Sequence, residues 1–480
     1  MTILVIDVGT TGLRAAAVRP DGTVAHLVFA ECPPSSPFPG LVEFDPRAMV
    51  ESVRTVASTV LQHSGPVAAV GIATQRASTI MWDSRTMEPL GNGLGWQDLR
   101  TVGECIAARE THGLALAPNQ TATKAAWLLR NHPHDVAHVR IGTVDSWIVA
   151  ALSNGDLHVT DHTNAAVTGL YDLATMGWSG RACDLLGIDP SVLPRIVDSS
   201  GVIGEATALD GSPPIASIVG DQQSSLLGQG CTRPGDTKIT FGTGGMLDTV
   251  TGSDRPTVDT RLPGGTFPIV AHTSGSGMTF GVEGIMLSAG ANVEWLCHDL
   301  GILGTPEESD ALAASVASSD DVVYVPALLG LGTPHWDYGA RGTLLGVTRG
   351  TTRAHVVRAV LEGIAHRGAD LVDAAVADTG QTIERVRVDG GMSRNITFVQ
   401  ALADVTARPI DVCAITEATT LGAAFLAGTA IGAWASLDEA AAAGQSARTV
   451  EPANPARRDR WADAVARSRE WIPELSALDF

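Results

Sequence analysis

The chain has 480 residues, 44% of them hydrophobic and 18% charged, which is enough apolar material for a large core and excludes a disordered chain. Acidic residues outnumber basic ones 52 to 32, for a formal charge of −20, and such a surface repels nucleic-acid phosphates and anionic lipid, so neither is an expected partner. The six cysteines are scattered without metal-binding spacing, the first residues carry no basic leader, and no apolar run reaches the ~18 residues of a membrane span, so the expected setting is the reducing cytoplasm. The only lysines are Lys124 and Lys238; arginine supplies the remaining cations.

The length predicts two large domains. Ile3 to Val8 reads as a strand running into the turn Asp7-Val8-Gly9-Thr10-Thr11-Gly12. Two further strands, Leu13–Arg19 and Thr23–Ala30, flank the turn signal Pro20-Asp21-Gly22-Thr23, which predicts a three-stranded meander. Helical spacing follows over 46–62, then a buried strand over Val67–Thr74. Continued alternation of strand and helix signals predicts an α/β architecture. Ser217–Gly220 reads as a strand end, with Asp221 just beyond it. A second strand–turn–strand unit spans Thr237–Thr251, with Gly242-Thr243-Gly244-Gly245 at its tip, echoing the first. The two units predict related domains over 1–235 and 236–480. A long amphipathic helix is expected over Arg353–Asp378 and a strand over Val386–Val388. A third glycine turn, Asp389-Gly390-Gly391, then opens a helix near Asn395. The tail Pro455–Leu475 reads as one helix.

No P-loop, dinucleotide fingerprint, zinc-protease motif or serine-hydrolase elbow occurs. The chemistry therefore rests on the hairpins. A carboxylate closing a strand, followed by glycine and threonine, makes an anion-binding concavity in which Asp7 can hold Mg²⁺ through water and Arg14 can reach phosphates. An ordinary hairpin with favourable turn residues is the competing reading. Asp221 lies where open α/β sheets present catalytic groups, and Thr243 can donate to a phosphate. His132, His134 and His138 read as a surface loop rather than a metal site.

The stretches Asp7–Arg14, Gly71–Arg76, Gly220–Gln223, Phe241–Gly244, Leu331–Trp336, Ala340–Gly342 and Val388–Gly391 together resemble the FGGY carbohydrate kinases, and among them the glycerol kinases. The likeness covers roughly residues 3–430. It implies two ribonuclease-H-like domains of the actin/hexokinase/Hsp70 type with ATP in the cleft between them. Carried over residue by residue, it implies Asp221 as catalytic base and Asp7 as the Mg²⁺-associated carboxylate. Thr10, Thr11, Gly12, Arg14 and Thr243 fall on the phosphate loops, Gly290 and Glu294 on other nucleotide contacts, and Gly391 and Asn395 on the adenosine turn. Arg76, Trp96, Asp221 and Gln222 fall on polyol-binding positions.

Besides Glu294, where the glycerol enzymes commonly have Gln, three acceptor-site positions depart from them. Ala77 stands where they have Glu, Asn119 where they have Tyr, and Met246 where they have Phe. Losing a charged acceptor and two aromatic walls predicts a wider pocket, for a four- or five-carbon polyol or ketose. Glycerol itself is the alternative acceptor, and a non-catalytic ATP switch of the actin or Hsp70 kind the more distant one. Relatives of this type are often dimers or tetramers, so a homodimer or homotetramer is the implied assembly.

Overall fold

The computed structural model describes residues 1–258, 260–413, 417–443, 446–454 and 458–478. Three strands open the chain: β1 (Ile3–Val8), β2 (Gly12–Val18) and β3 (Val24–Glu31). They form the expected antiparallel meander, with Asp7 opposite Arg14 across the first hairpin. Helix α1 (Pro46–Ser64) begins where Asp45 accepts from the Arg47 and Ala48 N–H groups and Pro46 takes the first turn, where no N–H is needed. Strand β4 (Ala69–Thr74) pairs parallel to β1. Helix α2 (Thr121–Asn131) follows, then β5 (Ser200–Glu205), β6 (Pro214–Gly220) and α3 (Asp221–Gly228).

The second half repeats the hairpin opening with β7 (Thr237–Phe241) and β8 (Gly245–Gly252), then β9 (Phe267–Ser274) and β10 (Gly277–Met286). Helix α4 (Arg353–Thr379) is followed by β11 (Val386–Asp389), α5 (Ile396–Thr406), β12 (Ile410–Cys413), α6 (Ala418–Ala430), β13 (Ser446–Val450) and α7 (Asp459–Ser468). Among the described residues these strands form one sheet in the order β13-β12-β11-β7-β8-β10-β9-β5-β6-β4-β1-β2-β3. The two halves of that sheet meet only at Ser200 against Ser274, where β5 touches β9.

The period-2 alternation of each strand decides which of the sheet's two faces each residue joins. In β1, Leu4, Ile6 and Val8 pack on the α1 side with Val53, Val56 and Val60. Ile3 and Val5 pack on α6 with Leu421 and Phe425, and Asp7 shares their parity. In β7 and β8, Ile239, Phe241 and Leu247 enter the core against Val360 and Ile364 of α4. The opposite face carries Lys238, Thr240, Met246 and Asp248, paired across the hairpin as Lys238 with Asp248 and Thr240 with Met246.

Helices α3 and α6 cross at backbone contact. A Cβ added at Gly422 would collide with the Ser224 carbonyl, and one at Gly228 with the Ala418 carbonyl. Ser217 and Ser224 donate to the Ala423 and Thr419 carbonyls at 2.9 and 2.6 Å. Helix α6, late in the sequence, is thus locked to the first half and fixes the helix that begins with Asp221. The tail is not the single helix expected over Pro455–Leu475. Helix α7 stops at Ser468, Glu470 takes a positive φ of 56°, and a separate turn begins at Pro473, whose ring cannot continue a helix; residues 455–457 lie outside the described residues. No described helix is long and apolar enough to cross a membrane.

Candidate active site

Strands β1, β4 and β6 run parallel, with Val8 beside Thr74 and Thr74 beside Gly220. Their C-terminal ends therefore deliver the Gly9–Thr11 turn, Gln75–Ala77 and Asp221 to one edge, the location where such sheets bind ligands. Asp7 is only 5% exposed. Arg14 Nε stands 3.6 Å from its Oδ2, and an Arg14 Nη donates to Glu417 Oε2 at 2.6 Å, reaching 403 residues along the chain. Burial pushes the Asp7 carboxyl up to about 7; Arg14 opposes this, while Asp221 and Glu417 add to it. A Cβ at Gly12 would meet the tip of the exposed Phe29 ring, so a side chain there would displace that ring.

Asp221 is the first residue of α3, and its Oδ1 accepts from the Gln222 N–H at 2.8 Å. Burial raises its pKa, against the pull of Arg76. Arg76 Nε lies 3.7 Å from Asp221, while its other nitrogens donate to Glu283 Oε2 at 2.6 Å and Gln223 Oε1 at 3.4 Å. Glu283 comes from β10, so Arg76 is gripped from the second half of the molecule. Lys238 and Asp248, both without exposure, lie 2.8 Å apart on the cleft face, and Lys238 Nζ donates to Gln222 Oε1 at 2.7 Å.

Trp96 Nε1 donates to Thr10 Oγ1 at 3.0 Å, joining an expected polyol residue to the expected phosphate turn. The Trp96 carbonyl accepts from Lys124 Nζ at 3.1 Å. Ala77 is held at a φ of 63°, with its carbonyl accepting from Thr121 and Thr79. A left-handed alanine is strained, and here it sits directly after Arg76. Met246 is half-buried on the cleft face beside Thr240. Asn119 is exposed ahead of α2, and no described contact joins it to the Asp221 cluster.

Thr243 is exposed at the tip of the β7–β8 turn, its carbonyl accepting from the Ala289 and Ala291 N–H groups. Gly290 N–H donates to the Gly242 carbonyl at 2.9 Å, so Gly290 lies flat on that turn. Gly390, at φ 84°, packs on the Phe241 backbone and leads into Gly391. The turns after β7 and β11 thus lie together. Asn395 caps α5 by accepting from the Phe398 N–H, and its Nδ2 donates to Ser309 at 3.0 Å. Glu294 is paired with His298 at 2.9 Å. Sequence reading missed Glu283, Glu417 and the Lys238–Asp248 pair. The available signal was a charge interrupting an apolar strand on alternate positions, at Lys238 and Asp248.

The model for the FGGY family of carbohydrate kinases, N-terminal domain, matches residues 2–228, and the C-terminal model matches 237–431. The chain belongs to the FGGY family of carbohydrate kinases. As a member it is an ATP-dependent phosphotransferase with an alcohol group as acceptor. A glycerol kinase from Gloeobacter violaceus is 41% identical over 98% of this chain and 97% of its own length. One from Bordetella parapertussis is 42% identical with the same coverage. The crystal structure of a Plasmodium falciparum glycerol kinase with ADP superposes with a TM-score of 0.89 at 28% identity, covering 100% of this chain and 99% of that one. The two-domain actin/hexokinase-type fold that the FGGY resemblance implied is the one observed.

Proposed function

We propose that this FGGY kinase transfers the γ-phosphoryl of ATP to a terminal hydroxyl of glycerol, with Asp221 as base. The observation that carries it is the placement of two carboxylates, buried Asp7 and half-buried Asp221, at the ends of the strands either side of β4, each beside its own arginine. In the proposal the attacking hydroxyl gives its proton to Asp221 as its oxygen bonds to phosphorus and the bond to the ADP oxygen breaks. The transition state is loose, so orientation and charge matter more than base strength. Arg76 holds Asp221 in place, and the raised pKa brings the carboxylate nearer the range where it can accept a proton. Thr10, Thr11, Gly12, Arg14 and Thr243 receive the phosphates, Gly391 with Gly290 the adenosine. The Asn395 side chain is spent on its cap and on Ser309, and Glu294 on His298, so any nucleotide contact from either falls to what those partners leave.

Among the described residues no group of three metal-ligating side chains occurs. A buried carboxylate outside any such group suits Mg²⁺, which keeps its waters and arrives on phosphates. Asp7 would hold it, and the ion would supply charge neutralisation at the phosphates.

The names of the relatives favour glycerol over the four- or five-carbon acceptor that Ala77, Asn119 and Met246 suggested. The larger acceptor keeps one specific support, the missing acidic acceptor at Ala77. A coupled ADP-release assay across glycerol, erythritol, xylitol, ribitol and a ketopentose decides between them. The expected result is the highest kcat/KM with glycerol; a ten-fold preference for a longer acceptor overturns that reading.

A further inference from the structure

Only two of the 32 cationic residues are lysine, and both are without exposure. A surface cation is expected to be exposed, so the chain keeps lysine only inside. Each of the two ammonium groups holds a residue of the acceptor end: Lys124 the Trp96 carbonyl, Lys238 the Gln222 side chain.

Lys238 has three N–H groups and three oxygens around it. Nζ donates to Gln222 Oε1 at 2.7 Å and Thr240 Oγ1 at 3.0 Å, and lies 2.8 Å from Asp248 Oδ2. Two of these oxygens belong to the β7–β8 hairpin, and the remaining one, from Gln222, to the other half of the molecule. A compact ammonium donates to Gln222 and Thr240 and meets the carboxylate as a point charge, a role the extended planar fork of arginine fills less well. Asp248 neutralises the charge, which permits it to be buried. The amide of Gln222 is thereby oriented. Its oxygen faces the ammonium, since an NH₂ group there would be repelled, and Nε2 is thereby turned away from Lys238.

We propose that Lys238, neutralised by Asp248, is a positioning residue that fixes Gln222 as a hydrogen-bond donor to the acceptor alcohol, and so couples alcohol recognition by the first half to the cleft face of the second. This rests on the kinase reading above. Gln222, next to the base, then offers N–H to a substrate oxygen that does not react. Such a contact discriminates because a site with an oriented donor loses a hydrogen bond when the acceptor is missing.

The test removes the pair together, so that no charge is stranded: Lys238→Met with Asp248→Leu, compared with Gln222→Leu and with all three changes combined. KM for the alcohol is expected to rise about ten-fold in the Lys238/Asp248 variant and in Gln222→Leu, with KM for ATP unchanged. The triple variant is expected to show no further rise, because the pair acts through Gln222. A multiplicative rise in the triple variant, an unchanged alcohol KM in the pair variant, or a shift in KM for ATP overturns the proposal. If the wild type phosphorylates no alcohol of the panel, the kinase reading fails by itself. The clamp is then judged by crystal structures of the wild type and the pair variant. A Gln222 side chain that leaves its position upon loss of the pair supports it; one that stays overturns it.

Discussion

At the acceptor end of the cleft, Arg76, Glu283, Lys238 and Asp248 meet across the two halves with little or no access to water. At the nucleotide end, the tips of the two hairpins present glycine, threonine and backbone groups, with Thr11 and Thr243 exposed. The first region fixes its own side chains by charges in partnership. The second works by leaving room: Gly290 and Gly390 each approach neighbouring backbone too closely for any side chain. The contrast suits the two substrates. A small alcohol offers only a few hydroxyls, so the protein must supply orientation and dryness. A triphosphate brings its own charge and needs N–H groups and space.

The sharpest way to break the acceptor end is Asp221→Asn. The isosteric amide keeps the position but cannot take a proton, and turnover is expected to fall by about 10² to 10⁴-fold. ATP binding, followed by calorimetry, is expected to stay within about two-fold. A variant that keeps more than a tenth of wild-type turnover would show that the base lies elsewhere.

Next in size is the seam that carries Asp221. Gly422→Ala puts a methyl against the Ser224 carbonyl, where only backbone can move. The expected cost is about 2–3 kcal/mol of stability, with turnover reduced because α3 is displaced. A melting temperature equal to that of the wild type would show that α3 and α6 are not held as tightly as their contact indicates. The serine bonds from Ser217 and Ser224 make a compensating separation of the two helices costly.

These two positions also mark how far the sequence could be read. The hairpins were legible because glycine and threonine after an apolar run ending in Asp7 have a local meaning, and Asp221 because a carboxylate at a strand end does too. The domain-like repeat followed from two such units. The α3–α6 seam was not legible, since a glycine inside a helix has no local reason until its partner is known, and Gly228 and Gly422 are nearly 200 residues apart in sequence. Glu283 and Glu417 were missed for the same reason: each is an ordinary glutamate until the fold brings Arg76 or Arg14 to it. The tail misled because its apolar spacing continues past Ser468, whereas the positive φ at Glu470 is decided by packing against Asp337, which accepts from the Glu470 N–H at 2.9 Å.

The smallest effect sharpens the nucleotide end. Asp7 has a folded pKa of about 7 against an ordinary value of 3.8, with burial the chief cause and Arg14, Asp221 and Glu417 its charged neighbours. A carboxylate raised on folding contributes stability that is complete below about pH 4 and is lost as pH climbs through 7. The free enzyme is therefore expected to lose melting temperature between pH 5.5 and 8 more steeply than Asp7→Asn, which has no such proton to lose. Nucleotide binding has the opposite sign. If MgATP needs the ionised carboxylate, its binding near pH 6.5 must expel the proton that burial retains, and affinity must rise toward pH 8. Calorimetry in two buffers of different ionisation enthalpy counts that proton directly. A release approaching one per site in the wild type and none in Asp7→Asn is the expected result. Equal release in both would assign the proton to another group and leave Asp7 a structural partner of Arg14.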